Sequence, residues 1–409
     1  MKKTFLYTII TLSLTLSSLK AQQLKMGIWQ GVLTLNEEEK IELPFNFETK
    51  KQGKKNVLII RNGEERIVVD ELKLKKDSLN FKMPIFDSEF KTKNYGDSLV
   101  GVWINSARKD KNIIPFKAYF GKSQRFNRSI GKPNPMYEGK WEVTFSPGTA
   151  DSSKAIGVFK QANSIYTTGT FLTETGDYRY LEGLQHGTTL YLSCFDGSHA
   201  FLFIAKSDGT IIKNGMFYSG SHWKEPWIGK RNDDFKLREA ETITQMNAGF
   251  ESVNFSFMNG KKEKISINDE KYKNKVVIVQ LLGSWCPNCM DETAYLSQLY
   301  KTYNKKGLEI IGLAYERTGD FDKAASNVER LKKRFNVDYQ ILITGLTGKD
   351  KASESLPMLS KISAFPTTLF INKQGKVVQI HTGFSGPATG AAYEEFKTKT
   401  EKLINELLK

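Results

Sequence analysis

Cysteine is scarce in this chain. Three cysteines occur in 409 residues, at positions Cys194, Cys286 and Cys289. Three cysteines cannot build the disulfide framework that holds small secreted domains together, and a chain of this length does not need one. Cys286 and Cys289 are separated by only Pro287 and Asn288, which points to chemistry rather than to a structural cross-link. Cys194 lies in an alternating apolar stretch and is predicted to be a half-buried strand residue without a catalytic role.

Histidine is also rare, which argues against a metal centre. The sequence has four histidines, and they lie far apart along the chain, at His186, His199, His222 and His381. A zinc site built on Cys286 and Cys289 would need two further ligands, and the sequence has no second Cys-x-x-Cys pair and no paired histidines. We therefore expect no metal and no cofactor.

Apolar runs long enough to cross a bilayer are absent. The longest, Phe5 to Leu19, has about 15 residues, whereas a membrane-spanning helix needs about 20. Lys2 and Lys3 precede this run and Ala21 follows it, which is typical of an export signal. The sequence predicts a signal peptide over residues 1–21 and an extracytoplasmic, for example periplasmic, protein. An uncleaved membrane anchor is the alternative.

Acidic residues are outnumbered, which gives a net charge of +15 and a sequence pI of about 9.4. Much of the excess is lysine scattered along the chain, and no nucleic-acid-binding motif accompanies it. We interpret it as a solvated basic surface and expect no nucleic-acid partner. The length predicts several domains.

The region up to Phe235 predicts an all-β structure, with short alternating apolar stretches and many glycines and aromatics. Four matches, separated by 111 to 114 positions, recur in the same order along this region. Residues 27–29, 79–81, 101–103 and 115–116 correspond to residues 139–141, 190–192, 215–217 and 226–227. We infer two similar β units, at residues 22–132 and 133–235. Their tryptophans fit core positions better than a ligand surface.

Past a polar linker at 236–250, which could be helical, the pattern changes to alternating strands and helices. Residues 253–257 alternate like an edge strand, and Val276 to Leu282 is a continuous apolar run typical of a buried central strand. Helical spacing follows at 291–303, 321–335 and 393–408, with further strands at 308–314, 367–371 and 376–380. The predicted fold is therefore multidomain, an all-β region followed by an α/β domain at 251–409 that should fold by itself.

The pair Cys286-Pro287-Asn288-Cys289 lies where the buried strand passes into the next helix. The N–H groups and the dipole of a helix N-terminus favour a thiolate at Cys286, and the thiolate is the nucleophile. Pro287 suits the first helical position, where a missing N–H costs nothing. We predict that Cys286 attacks a disulfide and that Cys289, one turn later and less exposed, resolves the mixed disulfide.

At this point the sequence resembles a known family. From about residue 250 onward it is similar to the thioredoxin superfamily, and specifically to the TlpA/ResA-like extracytoplasmic thiol-disulfide oxidoreductases. Trp285-Cys286-x-x-Cys289 matches the active-site motif, and Phe365-Pro366-Thr367 matches the cis-proline loop. The resemblance implies that Trp285, Phe365 and Pro366 hold the substrate backbone beside the redox-active Cys286–Cys289 pair.

Two further positions bear on proton transfer. Glu292 matches a glutamate found near the disulfide in this family, and the resemblance implies a catalytic role in proton handling; a first-turn acid favoured by the helix dipole is the alternative. Gln280 stands where thioredoxin carries a buried aspartate, which casts doubt on a base at that position.

The resemblance implies an enzyme that exchanges disulfides with protein thiols, as a reductase recharged by a membrane thiol-electron donor. Two other readings stay open from the sequence. One is a thiol peroxidase of peroxiredoxin type, although its Pro-x-x-x-Thr-x-x-Cys context is absent. The other is a ligand- or partner-binding β protein with an accessory redox domain.

Overall fold

The computed structural model describes residues 23–128, 136–162 and 166–409, and the predicted signal peptide at 1–21 lies outside them. These residues form three β-sheets in chain order. Two all-antiparallel sheets precede one mixed sheet that carries the four α-helices. This confirms the predicted fold class, an all-β region of two similar units followed by an α/β domain.

The first unit is one antiparallel sheet with strands in the order β4-β3-β2-β1-β9-β8-β7-β6-β5. Side chains alternate between core and solvent along β7, as expected for a sheet with one buried face. Its strands are β1 (Gly27–Asn36), β2 (Ile41–Gln52), β3 (Lys55–Asn62), β4 (Glu65–Val69), β5 (Leu72–Lys75), β6 (Ser78–Lys82), β7 (Ser88–Asn94), β8 (Ser98–Asn105) and β9 (Ile113–Phe120).

The second unit closes on itself. Its order is β11-β10-β18-β17-β16-β15-β14-β12-β13, and β11 also pairs with β12, so that eight of its strands form a ring. Its strands are β10 (Gly139–Phe145), β11 (Ser153–Gln161), β12 (Thr167–Thr173), β13 (Gly176–Asp177), β14 (Leu181–His186), β15 (Thr189–Phe195), β16 (Ala200–Ser207), β17 (Ile211–Ser219) and β18 (Trp223–Arg231).

The sequence matches between the units fall on equivalent strands. β1 and β10 each lie between the next strand and the last strand of their unit. Leu33 faces Phe116 across β1 and β9, and Phe145 faces Trp227 across β10 and β18. The tryptophans of these segments are buried as predicted: Trp29, Trp103, Trp141 and Trp227. The repeated sequence therefore encodes the same strand neighbours in both units.

The two units share a hydrophobic core. The main cluster of the first unit also contains Phe195 and Leu202 from the second, and the rings of Phe45 and Phe195 stack at 4.5 Å between centroids. Arg125 of the first unit is buried here and donates to Ser193 at 3.3 Å and to Glu182 at 3.1 Å in the second. The units consequently pack as a pair.

The α/β domain is built on the order β20-β19-β23-β22-β21-β24-β25. β21 pairs parallel with β22 and antiparallel with β24, and every residue of β21 and β22 is buried. The elements are β19 (Ser256–Asn259), β20 (Lys264–Ser266), β21 (Val276–Leu282), α1 (Pro287–Tyr303), β22 (Leu308–Ala314), α2 (Phe321–Phe335), β23 (Gln340–Ile343), α3 (Gly348–Ser355), β24 (Thr367–Ile371), β25 (Val377–Thr382) and α4 (Ala391–Leu408).

Two local expectations differ from the structure. The strand expected at 253–257 is β19, which begins at Ser256, and the sheet edge is β20. The linker holds a 3₁₀ turn at Ala240–Thr242, and Gln245 and Asn247 bond with the 357–360 segment of the α/β domain.

Among the residues that the structure describes, none of the helices has the length and apolarity needed to cross a membrane.

A buried arginine joins the two β units to helix α1. The guanidinium of Arg179, which follows β13 in the second unit, pairs with Glu65 of the first unit and with Asp291 of α1, and its Nε lies 3.7 Å from Asp196. The Arg179 side chain is 8% exposed. Because three carboxylates from three parts of the chain converge on one cation, this cluster fixes the two β units against the start of α1.

We expect Arg179→Ala to lower the denaturant midpoint of the full chain strongly. Loss of the guanidinium leaves mostly buried carboxylates without their counter-ion, which costs about 3–5 kcal/mol in comparable buried pairs. Arg238→Ala is the matched control, because Arg238 pairs with Glu174 at the surface, at 3.0 Å, and should cost less than about 1 kcal/mol. Equal effects of the two substitutions on urea unfolding would contradict the role of Arg179.

Candidate active site

Cys286 stands at the start of α1, directly after the turn that follows β21. Its backbone is extended, at φ −101° and ψ 112°, and its sulfur accepts a hydrogen bond from the Cys289 N–H at 3.4 Å. Pro287 occupies the first turn of the helix. The Cys286 sulfur thus takes the place of an N-cap oxygen, beside the positive end of the helix dipole.

The surroundings of Cys286 stabilise its thiolate. Burial by itself would raise the pKa of Cys286. Hydrogen bonds from the Cys289 thiol and from the N–H groups of Cys289 and Asn288, with the positive charge of Arg317, nevertheless hold it below its ordinary value. Cys286 is 8% exposed. Of the two cysteines of the pair, it is therefore the one that has both the lowered pKa and the greater exposure.

Cys289 has the opposite character. It is fully buried, and burial, followed by the nearby charges of Cys286 and Glu292, raises its pKa well above the ordinary value. Cys194, the third cysteine, is fully buried in the core of the second unit, where burial raises its pKa as well.

Glu292 is a buried carboxyl group behind the cysteine pair. The side chain of Gln280, on β21, donates to one of its oxygens at 2.7 Å, and the hydroxyl of Thr368, on β24, donates to the other at 2.8 Å. Burial raises the pKa of Glu292 to about 7 against these hydrogen bonds. Glu292 is fully buried and is the sixth residue of α1, beyond the first turn of the helix. Gln280 thus donates to a buried carboxyl group that comes from the helix.

The three residues expected to hold substrate surround Cys286. The Phe365–Pro366 peptide is cis, and the Cys286 thiol donates to the Phe365 carbonyl, with 3.4 Å between sulfur and oxygen. The Trp285 ring lies edge-on to the Phe365 ring at 6.0 Å, and its Nε1 donates to the Tyr315 carbonyl at 3.0 Å. Phe365, which is 79 positions after Cys286 in the sequence, therefore meets the Cys286 sulfur.

Three residues after β22 complete the site and carry no signal in the sequence. Tyr315 stacks on Phe365 at 5.4 Å, and Glu316 accepts from the Ser284 N–H at 2.8 Å and from its hydroxyl at 2.7 Å. Arg317 lies 4.1 Å above the Trp285 ring. Their proximity to the active site could have been predicted, because the ends of adjacent parallel strands lie side by side. Residues 315–317 follow β22 just as residues 283–285 follow β21.

In the described part of the chain, no three His, Cys, Asp or Glu side chains converge as ligands for a metal ion.

Known proteins match the C-terminal part of the chain. The Redoxin family model matches residues 247–395. The thiol-disulfide oxidoreductase ResA of Bacillus thuringiensis subsp. konkukian is 31% identical over 155 residues, which are 38% of this chain and 79% of the relative. The ResA protein of Geobacillus thermodenitrificans is 32% identical over 112 residues, 27% of this chain and 57% of the relative.

A solved structure is also similar. The thioredoxin domain of a thiol-disulfide oxidoreductase from Bacteroides vulgatus aligns with a TM-score of 0.29 and 22% identity, over 37% of this chain and 99% of that domain.

We expect the raised pKa of Glu292 to make stability fall with rising pH. The pKa is about 7 when folded against an ordinary value of 4.5. The folded chain therefore holds a proton that the unfolded chain releases between these values. The contribution of protonated Glu292 to the free energy of unfolding is complete below pH 4.5 and is lost as the pH rises to about 7. The loss is on the order of 3 kcal/mol.

The measurement is the denaturant midpoint of the full chain between pH 5 and pH 8. As the pH rises, the midpoint of the wild type should fall more than that of Glu292→Gln, which cannot ionise at this position. Glu406→Gln, at an exposed position on α4, should follow the wild type. Parallel curves for the wild type and Glu292→Gln would contradict the assigned titration.

Proposed function

Because this chain belongs, through its C-terminal domain, to the ResA-like thiol-disulfide oxidoreductases, we propose that it reduces disulfide bonds of protein substrates outside the cytoplasm. The observation that carries the proposal is the contrast between the two sulfurs. The pKa of Cys286 is lowered and that of Cys289 is raised, although they are one helical turn apart. This division fits an attacking thiol and a resolving thiol.

In the proposed first step, the Cys286 thiolate attacks one sulfur of the substrate disulfide. The substrate S–S bond breaks, a mixed disulfide with Cys286 forms, and the other substrate sulfur leaves as a thiolate that takes up a proton. In the second step, Cys289 loses its proton and attacks the Cys286 sulfur. The Cys286–Cys289 disulfide forms and the substrate is released with both sulfurs reduced, after transfer of two electrons.

Glu292 is the proposed acceptor of the Cys289 proton. A carboxyl group with a pKa of about 7 can both take up and release a proton near neutral pH. Ionised Glu292 raises the pKa of Cys289, which keeps Cys289 protonated until the mixed disulfide has formed. The hydrogen bonds from Gln280 and Thr368 fix the orientation of the carboxyl group.

Trp285, Phe365 and Pro366 are proposed to bind the substrate backbone. They lie beside the attacking sulfur, and the T-shaped contact between the rings of Trp285 and Phe365 restricts the orientation of both rings. An extended substrate segment beside Phe365 and Pro366 would place its disulfide against Cys286.

Each turnover leaves the pair oxidised, so the enzyme needs a thiol donor. We propose a membrane thiol-electron donor, in keeping with export by the signal peptide predicted at residues 1–21. The reductive direction is supported by Pro287 and Asn288, because neither is a histidine that would strongly stabilise the thiolate and make the pair an oxidant.

The two cysteine variants should behave differently. Cys286→Ser should reduce disulfide exchange to the background rate, because the attacking sulfur is lost. Cys289→Ser should still attack but should stall as a covalent complex with its substrate, because no sulfur remains to resolve it. Non-reducing gels of the exported fraction should show such complexes, and added thiol should remove them.

Cys194→Ser is the matched control and should exchange disulfides at the wild-type rate, since Cys194 is fully buried in the second unit. Trapping by Cys286→Ser instead of Cys289→Ser would show that the roles are inverted. Consumption of hydrogen peroxide through Cys286 without disulfide exchange would favour the peroxidase reading. If Cys286→Ser and Cys289→Ser both keep the biological function of the wild type, a binding role of the β region would be favoured.

A further inference from the structure

A cleft of about 290 Å³ lies in front of Cys286. On one side it is lined by residues of the α/β domain, namely the segment around Cys286 and Arg317. The other side is formed by both β units, through Arg108 of the first and residues such as Tyr178 and His199 of the second. A disulfide that reaches Cys286 through this cleft therefore contacts the β units as well as the catalytic domain.

Close contacts fix the β side of the cleft against the catalytic helix. Gly176 has a φ of +147°, which favours glycine, and a Cβ atom there would lie 1.9 Å from the side-chain nitrogen of Asn288, so that Asn288 would have to move. Asn288 donates to the Asp177 carbonyl at 3.4 Å, and the Asp177 carboxyl group accepts from the Gly386 N–H at 2.6 Å. The cleft is therefore part of the folded architecture rather than a gap between loosely tethered domains.

The charges along the cleft are unbalanced. Arg108 and Arg317 line it from opposite sides, and in the residues that the structure covers neither forms an ion pair with a carboxylate. Burial, and then the charge of Arg317, lower the pKa of Arg108, as expected for two cations that face each other. Asp177, the carboxyl group of this lining, is buried and already bonded to Gly386.

The neighbouring surface does not supply a carboxylate partner for Arg108. A second pocket of about 190 Å³ shares Arg108, Arg317 and Trp285 with the cleft. Of its acidic residues, Asp87 lies 3.7 Å from Lys323 and 3.5 Å from Arg330. The charge of Glu316, which accepts hydrogen bonds from Ser284, acts on Arg317 and partly offsets the lowering of its pKa by burial.

Arg108 reaches the cleft on a hairpin that is longer than its counterpart. The β8–β9 hairpin spans residues 106–112, whereas the equivalent β17–β18 hairpin of the second unit spans 220–222. The longer hairpin carries Arg108, Lys109 and Lys111 against a single acidic residue, Asp110. The additional residues therefore add positive charge on the side of the active site.

We propose that this cleft selects protein substrates with acidic residues beside the disulfide, whose carboxylates are bound by Arg108 and Arg317. The guanidinium group pairs with carboxylates through two parallel hydrogen bonds, which suits it to this task. The net charge of +15 favours the approach of the same substrates. The proposal rests on the thiol-exchange function proposed above and adds a substrate class to it.

The first test compares two alkylating reagents that differ in charge, on the full chain carrying Cys289→Ser. Iodoacetate is anionic and iodoacetamide is neutral, and both react with the thiolate, so the ratio of their rates at Cys286 cancels any change in its pKa. Arg108→Gln should lower the ratio of iodoacetate to iodoacetamide rates by about threefold or more at low salt. The difference should shrink at 1 M salt, where the Debye length is about 3 Å.

Two further variants serve as controls for the first test. Arg334→Gln makes the same charge change at an exposed position near the end of α2 and should leave the ratio unchanged. Arg108→Lys keeps the charge and should retain most of the wild-type ratio, which separates loss of charge from misfolding.

The second test uses paired peptide substrates that have the same disulfide flanked by glutamate or by glutamine. The wild type should reduce the glutamate peptide with a kcat/KM about fivefold higher, and Arg108→Gln should remove most of this preference while Arg334→Gln keeps it. Equal kcat/KM values for the two peptides in the wild type would overturn the proposal.

The failures of the two proposals are distinguishable. If Cys286 reacts and forms mixed disulfides but the reagent ratio is the same in Arg108→Gln and the wild type, charge selection is wrong and thiol exchange stands. If Cys286 reacts with neither reagent and traps no substrate, the proposed function itself fails.

Discussion

The relation between the β region and the catalytic helix depends on one buried cation. Arg179 pairs with carboxylates from the first unit, from the second unit and from α1, and its partner on the helix, Asp291, is two residues after Cys289. Burying an unpaired charge costs free energy, so the loss of any one of these partners would destabilise the folded protein. The position of the cysteine pair relative to the β units is consequently set by the same contacts that join the two β units to helix α1.

The chemistry of the site combines local and long-range effects. Local sequence places Cys286 before a helix that begins with proline, and this alone exposes its sulfur to the first N–H groups of the helix. The raised pKa values of Cys289 and Glu292 have another origin, because they arise from burial beneath β24 and β21. Two sulfurs in one helical turn thus acquire different pKa values, because hydrogen bonds and Arg317 lower that of Cys286 while burial raises that of Cys289.

Sequence patterns predicted the elements that have a continuous apolar run or a clear helical period. The bounds of β21, β22 and α2 agree with the structure, as does the succession of equivalent strands in the two units. The short strand β23 and the polar helix α3 were missed, because four or eight residues carry too little periodicity. The roles of Arg179, Arg108 and Arg317 were also not predictable, since an arginine in a loop has the same appearance in sequence whether it meets solvent or a distant carboxylate. Gln280 could be interpreted only once its partner on α1 was known.

The correspondence between the two β units bears on how the substrate preference of such a protein can evolve. Two sheets with the same neighbours and equivalent registers have the form that internal duplication of one ancestral unit would leave. One copy has closed into a ring, while the other carries the longer hairpin beside the active site. Lengthening a surface loop costs little closure entropy, and the hairpin belongs to neither the catalytic sheet nor the closed copy. Substrate preference can therefore diverge between descendants by exchange of this hairpin, while the catalytic machinery is inherited intact.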